Sequence, residues 1–98
     1  MNDPHKLARL AHRQRLTALT RLLRRFDPIG LGNDAPEDEY APEAGTILPI
    51  LSRCSDRAAV VSLIHTEFTR WFGPETAGPA GEYDAVGTAV WNWWQQSA

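Results

Sequence analysis

The segment that decides the fold is Phe26–Gly45, which reads FDPIGLGNDAPEDEYAPEAG. It separates a strongly basic amino-terminal segment from a more apolar remainder, and it holds half of the chain's 12 acidic side chains. Asp27-Pro28 should end any helix that precedes it, because a residue before proline is pushed out of the α-helical region. The sequence therefore predicts a break in helical structure at this point.

Residue chemistry predicts an ordered turn at the start of this segment. The Asp27 carboxylate can accept hydrogen bonds from backbone N–H groups two or three residues further on, and the proline that follows presets the turn. Gly30 and Gly32 tolerate a positive φ, and we expect the apolar side chains of Ile29 and Leu31 to point inward. The residues that we assign to the structural turn are Phe26, Asp27, Pro28, Gly30 and Tyr40.

The segment before the turn predicts one long helix. Asp3 is suited to cap it, with Pro4 at the first helical position, and no later glycine or proline interrupts it. Leu7 and Leu10 lie off the apolar stripe of its second half, so we expect residues 1–15 to extend beyond the core or to dock on another chain. The stripe consists of Ala11, Ala18, Leu19, Leu22, Leu23 and Phe26.

Three further helices follow, so the predicted fold is an all-α four-helix bundle in a single domain, residues 1–98. Pro49 should bend or shorten the second helix, because proline removes a backbone hydrogen bond and crowds the carbonyl four residues back. Ser55 is the predicted cap of the third helix, whose apolar stripe includes Trp71. The glycines and prolines of residues 73–81 predict a loop. The predicted helices cover residues 4–26, 42–53, 55–72 and 82–96.

Charge is divided unequally along the chain. The net charge is −2, but residues 1–26 carry +6 and the remaining residues carry −8. Such a division indicates that the two parts attract each other or that each meets a different partner. One face of the basic helix could neutralise nucleic-acid phosphates, although no helix-turn-helix or zinc-binding pattern accompanies it. The residues on that face are Lys6, Arg9, Arg13 and Arg24.

A run of carboxylates lies in the middle of the turn segment. It could present negative charge to a basic partner protein, for instance by imitating phosphates at a nuclease surface. An equal alternative is a solvated loop attracted to the chain's own basic helix. The spacing does not match a calcium-binding EF-hand loop, so we predict no metal site. The carboxylates assigned to partner binding are those of Asp34, Glu37, Asp38 and Glu39.

Three tryptophans within four positions of the last helix form a second candidate contact surface. Indoles at 91, 93 and 94 cover more than about 200° of a helix, so at least one should point away from the core. An exposed tryptophan is typical of an interface hot spot, and we assign Trp91 and Trp94 to partner binding. The alternative is that the long first helix folds back over them.

The sequence F-D-P-I-G-L at 26–31, followed by D-E-Y-A-P-E-A at 38–44, resembles a family of small bacterial helical proteins of unknown function. Members of that family carry a W/F-D-P-x-G turn, then an acidic residue and a tyrosine before a helix that starts with Glu-Ala. Where the family tends to have an acidic residue after the tyrosine, this chain has Ala41, so the cap must come from proline at 42 or from Asp38. The resemblance implies a compact helical fold and no catalytic residues.

No catalytic pattern is present in the sequence. Its histidines are isolated, Cys54 has no histidine nearby, and no nucleophile elbow, phosphate loop or H-E-x-x-H occurs. Without a signal peptide or a long apolar run, we predict a cytoplasmic protein without cofactors. The sequence favours a non-catalytic protein that binds another protein, with an immunity or antitoxin role as its most specific form. The alternatives are nucleic-acid binding through the basic helix and a homodimer.

Overall fold

The computed structural model describes residues 3–97. The predicted all-α fold with four helices is confirmed. The first helix packs against the second and fourth, and the third also packs against those two, which closes the bundle. The helices are α1 (Pro4–Phe26), α2 (Ala41–Leu51), α3 (Arg57–Ala77) and α4 (Asp84–Ser97), and a 3₁₀ turn (Ala80–Tyr83) leads into α4.

The core is organised around Phe68 of α3, which is fully buried. Its ring centroid lies 5.6 Å from that of Tyr40, 5.7 Å from that of Tyr83 and 5.8 Å from that of Phe72, in tilted arrangements that suit aromatic pairs. Both tyrosines precede a helix, so the connections into α2 and α4 are anchored in the core. The other buried apolar residues are Leu19, Leu23, Ala44, Ile47, Leu48, Leu51, Val60, Val61, Ile64, Ala77, Val86 and Val90.

The first helix starts as predicted and leaves the core at its amino-terminal end. The Asp3 carboxylate accepts a hydrogen bond of 3.0 Å from the backbone N–H of His5, and Pro4 is the first helical residue. At 23 residues, α1 is about 34 Å long. Every residue from 3 to 15 is exposed. We call residues 4–13 the arm, because they extend away from the buried side chains.

The second helix is short, as the internal proline at 49 suggested, and its bounds lie within two residues of the predicted 42–53. It begins at Ala41 and ends at Leu51, a length of 11 residues. Tyr40 occupies the capping position without a side-chain hydrogen bond to the helix. The Asp38 carboxylate therefore does not cap α2, and the contact is made instead by the backbone, since the N–H of Ala41 donates to the Asp38 carbonyl.

The third helix differs from its prediction at both ends. Asp56, not Ser55, is the cap, because its carboxylate accepts a 2.8 Å hydrogen bond from the N–H of Ala59. The helix breaks at Gly73 (φ 83°) and then continues for another turn. The predicted loop at 73–81 is therefore partly wrong, since proline favours the first position of a new helical segment. The last helix begins at residue 84, not 82, because the 3₁₀ turn comes first.

The third and fourth helices approach each other closely at Gly87. A Cβ atom at this position would lie 2.3 Å from Cγ2 and 2.9 Å from Cα of Val61. The second of these atoms belongs to the backbone of α3, so relief would require one helix to move. Glycine is therefore needed at this crossing for its small size.

Replacement of Gly87 by alanine is expected to destabilise the protein by about 1–3 kcal/mol, because the added methyl group overpacks the crossing. Gly45→Ala is the matched control. A Cβ at this exposed helical position meets nothing within 4 Å, so alanine is expected to stabilise α2 by roughly 0.5–1 kcal/mol. Urea unfolding of both variants measures the difference, and equal stabilities would contradict the close approach.

Candidate functional site

Asp27 is the centre of the turn that follows α1. Its backbone is left-handed (φ 49°, ψ 60°), and its N–H donates a 2.8 Å hydrogen bond to the Leu23 carbonyl, which closes the helix end. Its carboxylate accepts hydrogen bonds of 2.9 Å from the N–H groups of Leu31 and Gly32. The hydroxyl of Tyr40 donates a third, of 2.6 Å, to Oδ1. Of the predicted turn residues, Asp27 and Tyr40 are thus joined directly through this carboxylate.

The details of the turn depart from the prediction in two respects. The N–H donors lie four and five residues after Asp27, not two or three, because Gly30 and Gly32 both adopt a positive φ and widen the loop. Ile29 is half-buried against the core as expected. The inward orientation predicted for Leu31 is wrong: its N–H faces the carboxylate, and its side chain is 39% exposed.

Arg24 belongs to this turn and not to the basic face of α1 on which the sequence placed it. Its guanidinium donates hydrogen bonds to the carbonyls of Gly32, Ala35 (3.1 Å) and Pro36 (3.2 Å). One of its nitrogens also lies 3.8 Å from Oδ1 of Asp27. The side chain is only 15% exposed, so Arg24 fixes the loop and is not presented to a phosphate.

The turn shifts the pKa values of Asp27 and Tyr40 in opposite directions. Burial would raise the pKa of Asp27, but hydrogen bonds from Tyr40, Gly32 and Leu31 and the nearby Arg24 charge outweigh it and lower that pKa. Burial and the hydrogen bond to Asp27 raise the pKa of Tyr40 well above its usual value. The turn therefore pairs an ionised carboxylate with a neutral phenol at neutral pH.

Asp27→Asn is expected to destabilise the protein at neutral pH by about 2 kcal/mol, because hydrogen bonds to a charged acceptor are lost while the volume is kept. Since the pKa of Asp27 is lowered by folding, its contribution is present above pH 3.8 and is lost as the pH falls through the folded-state value. The deficit should thus shrink in acid. Urea unfolding across pH tests this, with the exposed Asp34→Asn as control. Equal stabilities of the two variants at neutral pH would contradict it.

Glu43 is a second carboxylate whose environment the sequence did not reveal. It lies in the first turn of α2, and it is only 5% exposed. Its Oε2 atom has no hydrogen-bond partner among residues 3–97. Burial raises the pKa of Glu43, its own backbone N–H opposes that shift, and the negative charge of Glu39 adds to it. Glu43 therefore opposes folding when it is ionised.

Glu43→Met is expected to stabilise the protein at neutral pH by about 1 kcal/mol, because it removes an unpaired polar atom at similar volume. The raised folded-state pKa means that the wild-type contribution is fully present below pH 4.5 and is lost as the pH rises through the folded value. The stability gained by Met should therefore grow with pH. Thermal unfolding over a pH series checks this, with the exposed Glu37→Met as control. A variant less stable than wild type at neutral pH would refute it.

The carboxy-terminal tryptophans are half-buried, and Arg15 of the first helix lies over one of them. The Arg15 guanidinium carbon lies 5.7 Å from the centroid of the Trp94 ring, and its Nη2 donates a 3.3 Å hydrogen bond to the Ser97 carbonyl. The rings of Trp93 and Trp94 pack at 6.1 Å. Trp91 also packs against the core. Trp94 is thus covered by Arg15 of α1, in keeping with the predicted alternative, and both candidate indoles, Trp91 and Trp94, are half-buried.

The most exposed indole is that of Trp71, which the sequence placed in the buried stripe of α3. It is 45% exposed, and its Nε1 donates a 3.2 Å hydrogen bond to the Thr46 hydroxyl. The short α2 covers only part of so large a ring. Helical periodicity placed Trp71 on the side of α3 that faces α2. It carried no information about the length of α2, which decides how much of the ring is covered.

The acidic run is exposed and lies beside α1. Glu37 and Asp38 line a shallow groove together with Thr17, Thr20 and Arg21. Within residues 3–97, the ion pairs shorter than 4 Å are Arg24–Asp27 and Arg70–Glu67, so none neutralises this loop. We call residues 34–39 the acidic loop. Its four exposed carboxylates are those of Asp34, Glu37, Asp38 and Glu39.

The arm carries the other exposed charges of interest. Lys6, Arg9 and Arg13 are exposed, and none forms an ion pair with a described residue. At 100° per residue they fall within about 60° of one another. Leu7 and Leu10 are 48% and 45% exposed. The arm therefore combines cations with two leucines that do not belong to the core formed by the described residues.

The isolated histidines and the cysteine are not brought together into a site. His65 lies at the edge of the core, where its Nε2 is 2.9 Å from the Gly78 carbonyl oxygen. Cys54 is half-buried, and burial and the Asp56 charge raise the pKa of its thiol. Among the described residues, no three His, Cys, Asp or Glu side chains are arranged to hold a metal. None of the helices described is both long and apolar enough to cross a membrane.

No known protein family, curated protein or solved structure matches this chain. The family resemblance suggested by the F-D-P-I-G-L turn therefore stays a prediction. The surfaces of the chain itself, above all the arm and the acidic loop, are the basis for the proposal that follows.

Proposed function

We propose that this protein acts by binding another polypeptide, without catalysing a reaction, and that the arm is its main contact surface. The observation that carries this proposal is that α1 continues as a helix where every residue from 3 to 15 is exposed. Isolated helices shorter than about 12–15 residues are marginal in water. Contact with a partner would therefore stabilise the arm as a helix.

The side chains of the arm define the chemistry of the partner. Burial of Leu7 and Leu10 would each contribute about 1.5–3 kcal/mol at most, reduced by the part of each side chain that is already covered. Lys6, Arg9 and Arg13 would favour an acidic surface around those leucines and would speed the encounter with it. A partner that is acidic and partly apolar therefore fits the arm.

The acidic loop is the second part of the proposed contact surface. Its exposed carboxylates support the more specific proposal of an immunity-type role, in which the loop meets a basic surface of the partner. Trp91 and Trp94 remain candidates, but they are half-buried and offer less area to a partner. Trp71 is the stronger candidate for an aromatic contact, since 45% of it is exposed.

Nucleic acid is a second candidate partner, and the three cations on one side of the arm favour it. Neutralisation of phosphates by these cations would make binding fall steeply with salt. However, Glu37 and Asp38 lie beside α1 on the same side, and they would repel phosphates. We therefore rank nucleic acid below a protein partner.

A photoreactive amino acid in place of Leu10 is expected to give a discrete cross-linked protein product in the native cell, because this side chain lies on the exposed arm. The same amino acid in place of Ser62, an exposed residue of α3, is the control and should give no such product. Gel electrophoresis and mass spectrometry identify the product. A product sensitive to nuclease would replace the protein partner by nucleic acid, and no product at residue 10 would contradict the arm as a binding surface.

A further inference from the structure

We infer that the polypeptide bound by the arm is a second copy of this chain, in a symmetric dimer whose two α1 helices run antiparallel. This inference rests on the proposed function, since it names the partner of the same surface. It follows from the positions of the basic and acidic groups along one side of α1. These groups are complementary in charge, yet the fold keeps most of them apart within one chain.

Helical geometry places the two sets of charges on the same side of α1. Thr17 lies one turn after Arg13 and only about 40° from it around the helix axis. Glu37 and Asp38 line the groove at Thr17, Thr20 and Arg21. The basic residues of the arm and the acidic loop therefore follow one another along this side, the first near the amino terminus and the second further along.

The acidic loop extends along much of the second half of α1. Its carboxyl end lies at the height of Thr17 to Arg21 through the groove just described. Its amino end lies at the height of Arg24, because that guanidinium binds the carbonyls of Ala35 and Gly32 on either side of Asp34. Negative charge is thus presented over roughly two turns of the helix.

Lys6 and Arg9 of the arm cannot reach this loop within their own chain. Lys6 and Arg9 lie 11 and 8 residues before Thr17, which is roughly 16 and 12 Å along the axis. No glycine or proline after Pro4 allows α1 to fold back. Consistent with this separation, neither of the ion pairs within residues 3–97 joins the arm to the acidic loop.

An antiparallel second copy brings the two sets of charges together twice. A two-fold axis that passes α1 between Gln14 and Thr17 places Arg13, Arg9 and Lys6 at the heights of residues 18, 22 and 25 of the other copy. These heights match the extent of its acidic loop. The same contact recurs by symmetry, as in any isologous interface. A shallow groove near the axis is lined by the uncharged residues Gln14, Thr17 and Ala18 and by two cations, Arg13 and Arg21. The uncharged side chains permit close approach of the helices.

Charge reversal tests this dimer directly. The arm-reversed variant carries Arg9→Glu and Arg13→Glu, and the loop-reversed variant carries Glu37→Lys and Asp38→Lys. Each alone should weaken the dimer at least about 100-fold, because like charges then face each other twice. An equimolar mixture of the two, and a variant carrying all four changes, should both restore the dimer. Sedimentation velocity measures the mass of each sample, and circular dichroism confirms that each remains helical.

The control variant changes two arginines that lie outside α1. Arg53→Glu with Arg57→Glu changes the net charge by the same amount on exposed residues outside α1, and it should leave the dimer intact. A wild type that is monomeric at low salt, or a dimer that survives both reversals, would overturn the inference. If the protein is a monomer and the cross-link at residue 10 joins it to a different polypeptide, the proposed function stands and only the dimer is refuted. If it is a monomer and gives no such cross-link, both the dimer and the proposed function are refuted.

Discussion

The bound carboxylate of Asp27 is the contact on which the rest of the structure depends. The carboxylate accepts hydrogen bonds from two backbone N–H groups of the turn and from the hydroxyl of Tyr40. Tyr40 is the residue directly before α2. The ring of Tyr40 carries that constraint into the core, where its centroid lies 5.6 Å from that of Phe68. The left-handed backbone at Asp27 costs roughly 1–2 kcal/mol, and partial desolvation adds to the cost. Both are offset because one ionised group fixes the end of one helix, a loop and the start of the next.

The predictable part of the fold depends on short-range rules. The cap at Asp3, the end of α1 before Pro28 and the positive φ values of Gly30 and Gly32 follow from a few neighbouring residues, and all are observed. Four amphipathic segments without strand-like alternation were enough for the fold class. The boundaries near residues 55 and 73 were less predictable, because two adjacent residues compete for one cap and proline can start a helical turn as readily as end one.

The candidate site was harder to predict, because its contacts join residues far apart in the chain. A helical wheel places Arg24 with the other cations, but the carbonyls that bind it belong to residues 8 to 12 positions later. The indole of Trp94 was expected to be open, but Arg15 covers it from 79 positions away. The free-energy cost of burying Glu43 arises from the side chains packed around it, which the sequence does not show. By contrast, the exposure of the acidic loop was predictable, because its composition offers nothing to the core.

The connection between α3 and α4 has the composition of a flexible linker, but its contacts indicate that it would not tolerate an insertion. Its glycines and prolines resemble those of a linker, yet the Tyr83 hydroxyl donates a 2.6 Å hydrogen bond to the Ala77 carbonyl and His65 contacts the Gly78 carbonyl. The chain here is thus fastened to the core at two consecutive carbonyls. An inserted residue would displace these contacts together with the ring of Tyr83. An added turn at the amino-terminal end of the arm would displace no contact of the core, so the protein tolerates insertion better there than in the segment whose composition most resembles a linker.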